Sequence, residues 1–339
     1  MKHFTKFAAA SAIALCSGVA AWAQDTTLTI ASWAGPTHPI NAEMWPEFIR
    51  MVEEATGGAV TAEIKYGIAP PPAMMDIVLD GAADVSWIFN GYTPGRFVAT
   101  KLIELPGFEG NAEAASVAYQ RLHDSMLAAL DEHKGVKVIA VMTHGPGQFH
   151  SNKPVNALGD INGMKVRLGG GVAGDVGAEL GMSGIQVPAP KVYETLDSGA
   201  ADAVAMPVEG RESFKLTEVA PHLYQMPGGF YRGAFSLIMN QETFDSLPAE
   251  VQTALEENVF GEPLARMAGQ VWDRADGSGM AATEADAENT VTVASDADQE
   301  AFKAIADKVS QAVIDEVTAA GVDGAAAVEM IRKEMAGSM

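Results

Sequence analysis

Apolar positions recur in two rhythms along the front of the chain. Leu28 to Ala31 is a short apolar run of strand type. Trp45, Phe48, Ile49 and Val52 then return every three or four residues, the spacing of a helix buried on one face. Gly57-Gly58 stops that helix, and Val60 to Tyr66 alternates as a half-buried strand does. The same strand–helix rhythm continues through much of the chain and predicts parallel or mixed sheets flanked by helices.

One internal echo suggests how those sheets are divided. Leu79-Asp80-Gly81-Ala82-Ala83-Asp84-Val85 resembles Leu196-Asp197-Ser198-Gly199-Ala200-Ala201-Asp202-Ala203-Val204. In each copy a helix ends at a glycine and an apolar strand follows an aspartate. The first copy runs on to Trp87-Ile88-Phe89-Asn90, the second to Met206-Pro207. Two similar lobes would carry one copy each. Both strand ends would then face a cleft, where open α/β folds bind ligands. The C-terminal third is helical. Ser246 and Pro248 mark a helix start, and Val251, Leu255, Leu264, Met267, Val271 and Trp272 trace a helical region bent near Gly261-Glu262-Pro263. Asp276-Gly277-Ser278-Gly279 reads as a further break. Thr290 to Val293 has strand character, and Phe302, Ile305, Val309, Val313 and Val317 form one apolar helical stripe.

The N-terminus changes the picture by placing the chain in a compartment. Lys2 and Lys6 precede an apolar stretch from Phe7 to Ala20, and Ala21-Trp22-Ala23 fits a cleavage site. Residues 1–23 are therefore expected to be a removable secretory signal, with the mature protein in the periplasm. Cys16, the one cysteine, falls inside that signal, so the mature chain has neither disulfide nor thiol chemistry. The formal net charge is −22, from 22 basic and 44 acidic residues, and loss of Lys2 and Lys6 makes it more negative. Such a surface repels nucleic acid. If the ligand is an anion, it needs a local cationic anchor.

Motifs for catalysis are missing. The seven histidines, His3 among them in the signal, show no H-E-x-x-H or other metal-ligand spacing. There is no G-x-S-x-G elbow and no Walker loop, and Gly169-Gly170-Gly171 lacks the dinucleotide spacing. No enzyme activity, cofactor or metal is called for. Anion binding has a better candidate. Met164-Lys165-Val166-Arg167-Leu168 alternates as a strand and runs into the glycine stretch, so Arg167 can aim its guanidinium fork at a carboxylate in the cleft. Trp33, Trp87, Phe89, Tyr92, Phe149, Phe230 and Tyr231 are the aromatic residues expected near the cleft, with Trp33 and Trp87 the better candidates because each sits close to a strand end. His38, Asn90, Gln148, Met206 and Glu209 complete the candidate ligand-binding set.

These segments together resemble the solute-binding subunits of tripartite ATP-independent periplasmic (TRAP) transporters, the C4-dicarboxylate-binding-protein-like family. Ile161-Asn162-Gly163-Met164-Lys165-Val166-Arg167 resembles its L-x-G-x-K-I-R segment, and Val192 to Asp202 resembles E-V-Y-x-A-L-Q-x-G-x-V-D. Phe214-Lys215-Leu216-Thr217-Glu218-Val219 shares a K-L-x-E-V core, and Asn240 followed by Leu247-Pro248-Ala249-Glu250-Val251-Gln252 resembles N-x-x-x-x-x-x-L-P-x-x-V-Q. The resemblance implies an α/β, two-lobed periplasmic binding protein of type II-like layout, with mixed sheets flanked by helices and a long helix spanning both lobes. It implies lobes at 24–144 plus 233–272 and at 145–232 plus 273–339, hinged near His144 to Phe149 and Tyr231 to Ala234. It further implies a small-molecule organic acid as ligand, Arg167 as its carboxylate anchor, closure on binding, and handover by a monomer to a small and a large membrane subunit. Two departures from the family stand out. Gly147 occupies a position where many members carry an arginine, and Met206 one where they carry an asparagine. A monocarboxylate with an apolar or aromatic body is therefore favoured. A C4-dicarboxylate would need a second cation, for which Arg96, Arg211 and Arg232 are the candidates. A ligand-presenting sensor, an ATP-driven uptake receptor and an enzyme on the same scaffold are the competing readings.

Overall fold

The structure, a computed structural model, describes residues 26–337. The expected signal and its cleavage site lie outside the described residues. Along the chain come the strands β1 (Thr26–Ser32), β2 (Val60–Tyr66), β3 (Val85–Phe89), β4 (Val136–Thr143), β5 (Gln148–Ser151) and β6 (Lys165–Leu168). They are followed by β7 (Ser183–Gln186), β8 (Ala203–Met206), β9 (His222–Gln225), β10 (Ala234–Asn240) and β11 (Thr290–Val293).

Two mixed sheets result. The first has the order β2-β1-β3-β10-β4, with β1 parallel to β2 and β3, and β10 antiparallel to β3 and β4. The second has the order β11-β9-β5-β8-β6-β7, with β5 antiparallel to both neighbours and the other pairs parallel. β3 and β10, in the middle of the first sheet, are buried at every residue because both faces are covered.

The sequence echo has a structural cause. Each copy follows a short helix, Met74–Leu79 or Val192–Asp197, and turns at a left-handed glycine, Gly81 at φ 68° and Gly199 at φ 70°. The aspartate then clamps the neighbouring parallel strand. Asp84 accepts the Thr29 amide on its carboxylate at 2.7 Å and donates its own amide to the Thr29 carbonyl at 2.9 Å. Asp202 does the same to Lys165, at 3.2 and 2.7 Å. One strand-pairing device is thus used once in each sheet.

The chain passes between sheets at residues 144–147 and 226–233. These two crossovers pair with each other: Gly147 donates to the Tyr231 carbonyl at 2.8 Å and Phe230 donates to the Gly147 carbonyl at 2.9 Å. A Cβ at residue 147 would collide with the Tyr231 ring. The tyrosine ring therefore takes the room that any side chain at residue 147 would need.

A third link is the helix Glu262–Glu284. The break expected at Asp276 to Gly279 does not occur, and the helix runs through it. On one side the Asp273 carboxylate accepts the amides of Ala112 and Glu113, at 2.6 and 3.1 Å, at the start of the helix Ala112–Leu122. A carboxylate there satisfies free N–H groups and the positive end of the helix dipole. On the other side Asp276 accepts the Glu209 amide at 2.8 Å, beyond the end of β8. Glycine is needed in this helix for contact rather than for bending. A Cβ at Gly269 would lie 2.6 Å from the Glu113 Cα, and one at Gly279 would collide with the Val208 carbonyl, whereas Gly277 has open space around it. At the end of the chain, Phe302, Val309, Val313 and Val317 are buried along the helix Asp296–Ala319, while Ile305 is only partly buried.

These contacts make two glycines in one helix respond oppositely. Gly277→Ala is expected to stabilise the protein by up to about 1 kcal/mol, since helix interiors favour alanine. Gly279→Ala gains the same propensity yet is expected to destabilise by about 1–3 kcal/mol through overpacking. Denaturant unfolding of both variants beside the parent checks the pair; shifts of the same sign would contradict the close approach.

Candidate ligand-binding cleft

The ends of β3, β6 and β8 meet the two crossovers and the long helix around a tight cavity. Arg167 reaches it from β6. Lys165 and Arg167 share a face of β6, but Lys165 at the strand's start is exposed while Arg167 is buried to 2% exposure. Its Nε donates to the Val187 carbonyl at 2.8 Å, and Nη2 stands 3.5 Å from the Tyr92 hydroxyl. It forms no ion pair with any described carboxylate.

Tyr92 lies just past β3, in the first lobe, and its hydroxyl accepts the Ala189 amide of the second at 2.8 Å. The tyrosine therefore links the lobes and touches the guanidinium in the same contact. The triple glycine serves this approach. A Cβ at Gly170 would collide with the Gly91 carbonyl, and one at Gly169 would lie 3.0 Å from the Phe89 ring. Beside it, the Glu104 carboxylate of the first lobe accepts the Val172 amide at 2.8 Å and the Ala234 amide at 3.2 Å. The glycine run thus brings two backbones together and does not form a phosphate loop.

The rest of the wall is aromatic. Trp33 stacks on Trp87 with ring centres 4.0 Å apart, and its Nε1 donates to the Trp87 carbonyl at 3.2 Å. Phe89 meets Tyr92 edge-on at 4.8 Å, and Phe235 lies 5.6 Å from Trp272 of the long helix. Phe214, Tyr231 and Met206 close further sides. Such a wall excludes water and strengthens any polar contact made inside it.

The other titratable groups of the wall are held neutral by burial. His38 is pushed down to about 3 and His144 to about 4, while Glu209 is pushed up to about 8. Behind Glu209, Asp276 is raised to about 7, again mainly by burial. Arg167 is the one permanent cation on the described lining. The other arginines lie elsewhere. Arg96 is at the surface, 3.9 Å from Asp76. Arg211 is consumed within the second lobe by the carbonyls of Ala220 and Pro221, each at 3.2 Å, and by Thr283, Asn289 and His150. Arg232 donates to the carbonyls of His144, Phe108 and Gly110.

The structure brings together Arg167, Trp33, His38, Phe89, Met206 and Glu209 on the cavity wall. Trp87 stands behind Trp33, fully buried, and supports the wall without lining it. Four expected residues point elsewhere. Asn90 is engaged by Tyr119 and Ser236. Gln148 pairs with both the amide and the carbonyl of Met226. Phe230 packs on Phe302 in the second core, and Phe149 is likewise buried there. Alternation explains Gln148: on a strand of four buried residues its side chain turns to the adjoining loop. Residues missing from the expected set are His144, Phe214, Phe235 and Trp272. Trp272 belongs to a helical stripe whose pattern signals core and says nothing of a ligand.

Two mixed-sheet lobes joined by paired crossovers and a shared helix, with an aromatic cavity between them, define a two-lobed solute-binding protein. Residues 30–316 match the family model for bacterial extracellular solute-binding proteins, family 7, and the chain belongs to that family. It is 24% identical over 338 residues to the outer membrane transporter protein TsaT of Comamonas testosteroni, with 98% of this chain and 99% of that one covered. A TRAP periplasmic solute-binding protein of Bordetella bronchiseptica, solved with bound (R)- and (S)-mandelate, is 36% identical with a TM-score of 0.89, over 93% of this chain and all of that one. A TRAP solute-binding protein of Rhodoferax ferrireducens, solved with copurified benzoate, is 28% identical with a TM-score of 0.85, over 92% and 98%. Both solved relatives are solute-binding proteins of TRAP transport systems.

The raised Glu209 gives a pH signature. From the ordinary carboxylate range up to about 8, the unfolded chain has released a proton that the folded chain retains. This contribution to stability is therefore lost as pH rises across that window, and levels off above it. In Glu209→Gln the loss is removed. The melting temperature of the ligand-free variant, relative to the parent, is expected to climb steadily between pH 4.5 and pH 8; a flat difference would show that Glu209 titrates normally.

Proposed function

We propose that this protein captures one aromatic monocarboxylate in the periplasm and delivers it to the small and large membrane subunits of a TRAP permease. The observation that carries the reading is a buried guanidinium with no carboxylate partner in a cavity otherwise lined by aromatic rings and neutral polar groups. A ligand carboxylate would take the guanidinium bidentately, with the Tyr92 hydroxyl beside it. The aryl body would pack on Trp33, Phe89 and Trp272.

A C4-dicarboxylate fits poorly. Its second anion would enter a site without a second cation, since Arg96, Arg211 and Arg232 lie off the described lining. Met206 adds apolar surface to the wall instead of a polar contact. The mandelate and benzoate bound by the two solved relatives are aromatic monocarboxylates, which supports the same reading. The link between binding and transport is closure. Tyr92 and Glu104 bond across the seam, so a ligand that pairs with Arg167 favours the state in which both lobes meet, and the membrane subunits read that state.

Thermal shifts of the ligand-free mature protein test this. Benzoate or mandelate at a hundred times its dissociation constant is expected to stabilise by about 2.7 kcal/mol. Succinate and malate are expected to give no shift at the same concentration. Arg167→Gln is expected to lose roughly 2–5 kcal/mol of binding. Equal shifts with succinate, or unchanged affinity in the variant, would sink the proposal.

A further inference from the structure

We propose that His38 and Glu209 form a second polar subsite in the cavity that reads a hydroxyl group on the ligand, so that the preferred ligands are hydroxylated aryl monocarboxylates. This rests on the reading of the cavity as an aryl-acid site anchored by Arg167.

His38 has one tautomer open to it. Its Nδ1 accepts the Ile40 amide at 3.2 Å, so the ring proton of the neutral imidazole sits on Nε2. That N–H faces Oε2 of Glu209 at 4.0 Å, too far for a hydrogen bond. Oε2 itself is buried and has no hydrogen-bond partner. Glu209 is held in place through its backbone, whose amide is bound by Asp276 of the long helix. Two polar atoms therefore stand fixed across a gap on the cavity wall, one a donor and the other unsatisfied.

An oxygen set about 2 Å to the side of the line between them can lie about 2.8 Å from each. A hydroxyl suits the position because it donates one hydrogen bond and accepts two. It can take the Nε2–H of His38 and give its own proton to Glu209, or accept from both when the carboxyl proton is on Oε2. A second carboxylate does not suit it. Among the described residues no cation adjoins the pair; Ser213 offers Glu209 a side-chain hydrogen bond, and the charged group acting on it is another acid, Asp276. The surroundings sharpen the selection. The His38 ring is flanked by Phe214 at 5.5 Å, Trp272 at 5.7 Å and Trp33 at 6.4 Å, so an aryl acid lacking the hydroxyl would leave these groups unpaired in an apolar setting. Tyr92 lies 6.2 Å from the same Trp33 ring, which places that indole next to both the carboxylate anchor and the hydroxyl reader.

The test is isothermal titration of the mature protein with matched pairs: benzoate against its 2-, 3- and 4-hydroxy derivatives, and phenylacetate against mandelate and 3-hydroxyphenylacetate. At least one hydroxylated member is expected to bind roughly tenfold to hundredfold more tightly than its parent acid. In Glu209→Leu, and separately in His38→Phe, the ratio of affinities between the hydroxylated acid and its parent is expected to collapse to within about threefold, read as that ratio within each variant. If wild-type protein binds both members of every pair equally, and Arg167→Gln still abolishes binding, the hydroxyl subsite is wrong and the aryl-acid reading stands. If no aryl acid binds, both fail. A hydroxyl preference that persists in both variants would assign the reading to other atoms and overturn this proposal.

Discussion

A guanidinium buried without a carboxylate partner is the constraint around which this cleft is organised. An unpaired buried charge is costly, and the protein limits the cost with neutral acceptors, the Val187 carbonyl and the Tyr92 hydroxyl, and no carboxylate. A protein carboxylate in that place would compete with the ligand for the fork. The same logic governs the rest of the lining. Burial keeps His38 and His144 uncharged and keeps Glu209 protonated, so no second charge opposes an incoming anion. On a chain with a formal net charge of −22, this local arrangement is what permits an acid to bind.

Bringing the lobes close enough to share Arg167 depends on places without side chains. Gly170 lets its backbone pass Gly91, and Gly147 gives its space to the Tyr231 ring. The long helix ties the arrangement from behind. Asp273 caps a helix of the first lobe, Asp276 holds the Glu209 amide in the second, and Trp272, next to Asp273 in sequence, faces the cavity. One element thereby couples the spacing of the lobes to the position of a ring that would touch the ligand.

Much of the fold was legible from pattern. Alternation from Val60 to Tyr66 and the helical stripe from Trp45 correspond to β2 and the helix Trp45–Ala55, because Val60, Ala62 and Ile64 on the one and Trp45, Phe48 and Val52 on the other turn toward the core and the period is local. The repeated Gly…Asp segment was legible for the same reason: a left-handed turn and a clamp on the adjacent strand each require a particular residue type. The expected break at Asp276 to Gly279 was misread. Glycine in a helix signals either a stop or a close contact, and the deciding atom, the Val208 carbonyl, is remote in the chain.

By itself, then, the sequence determined the α/β class, the apolar faces, the acidic surface and Arg167 as the candidate anchor, since each depends on residue identity or on short-range spacing. Only the tertiary structure decided which residues share the cavity. It turned Asn90, Gln148 and Phe230 away from the wall, and brought His144, Phe214, Phe235 and Trp272 to it from distant segments. It also showed that Arg211 and Arg232 are already taken up by backbone carbonyls. Direction, burial and competing partners are properties of packed elements, and the intervals between residues along the chain do not encode them.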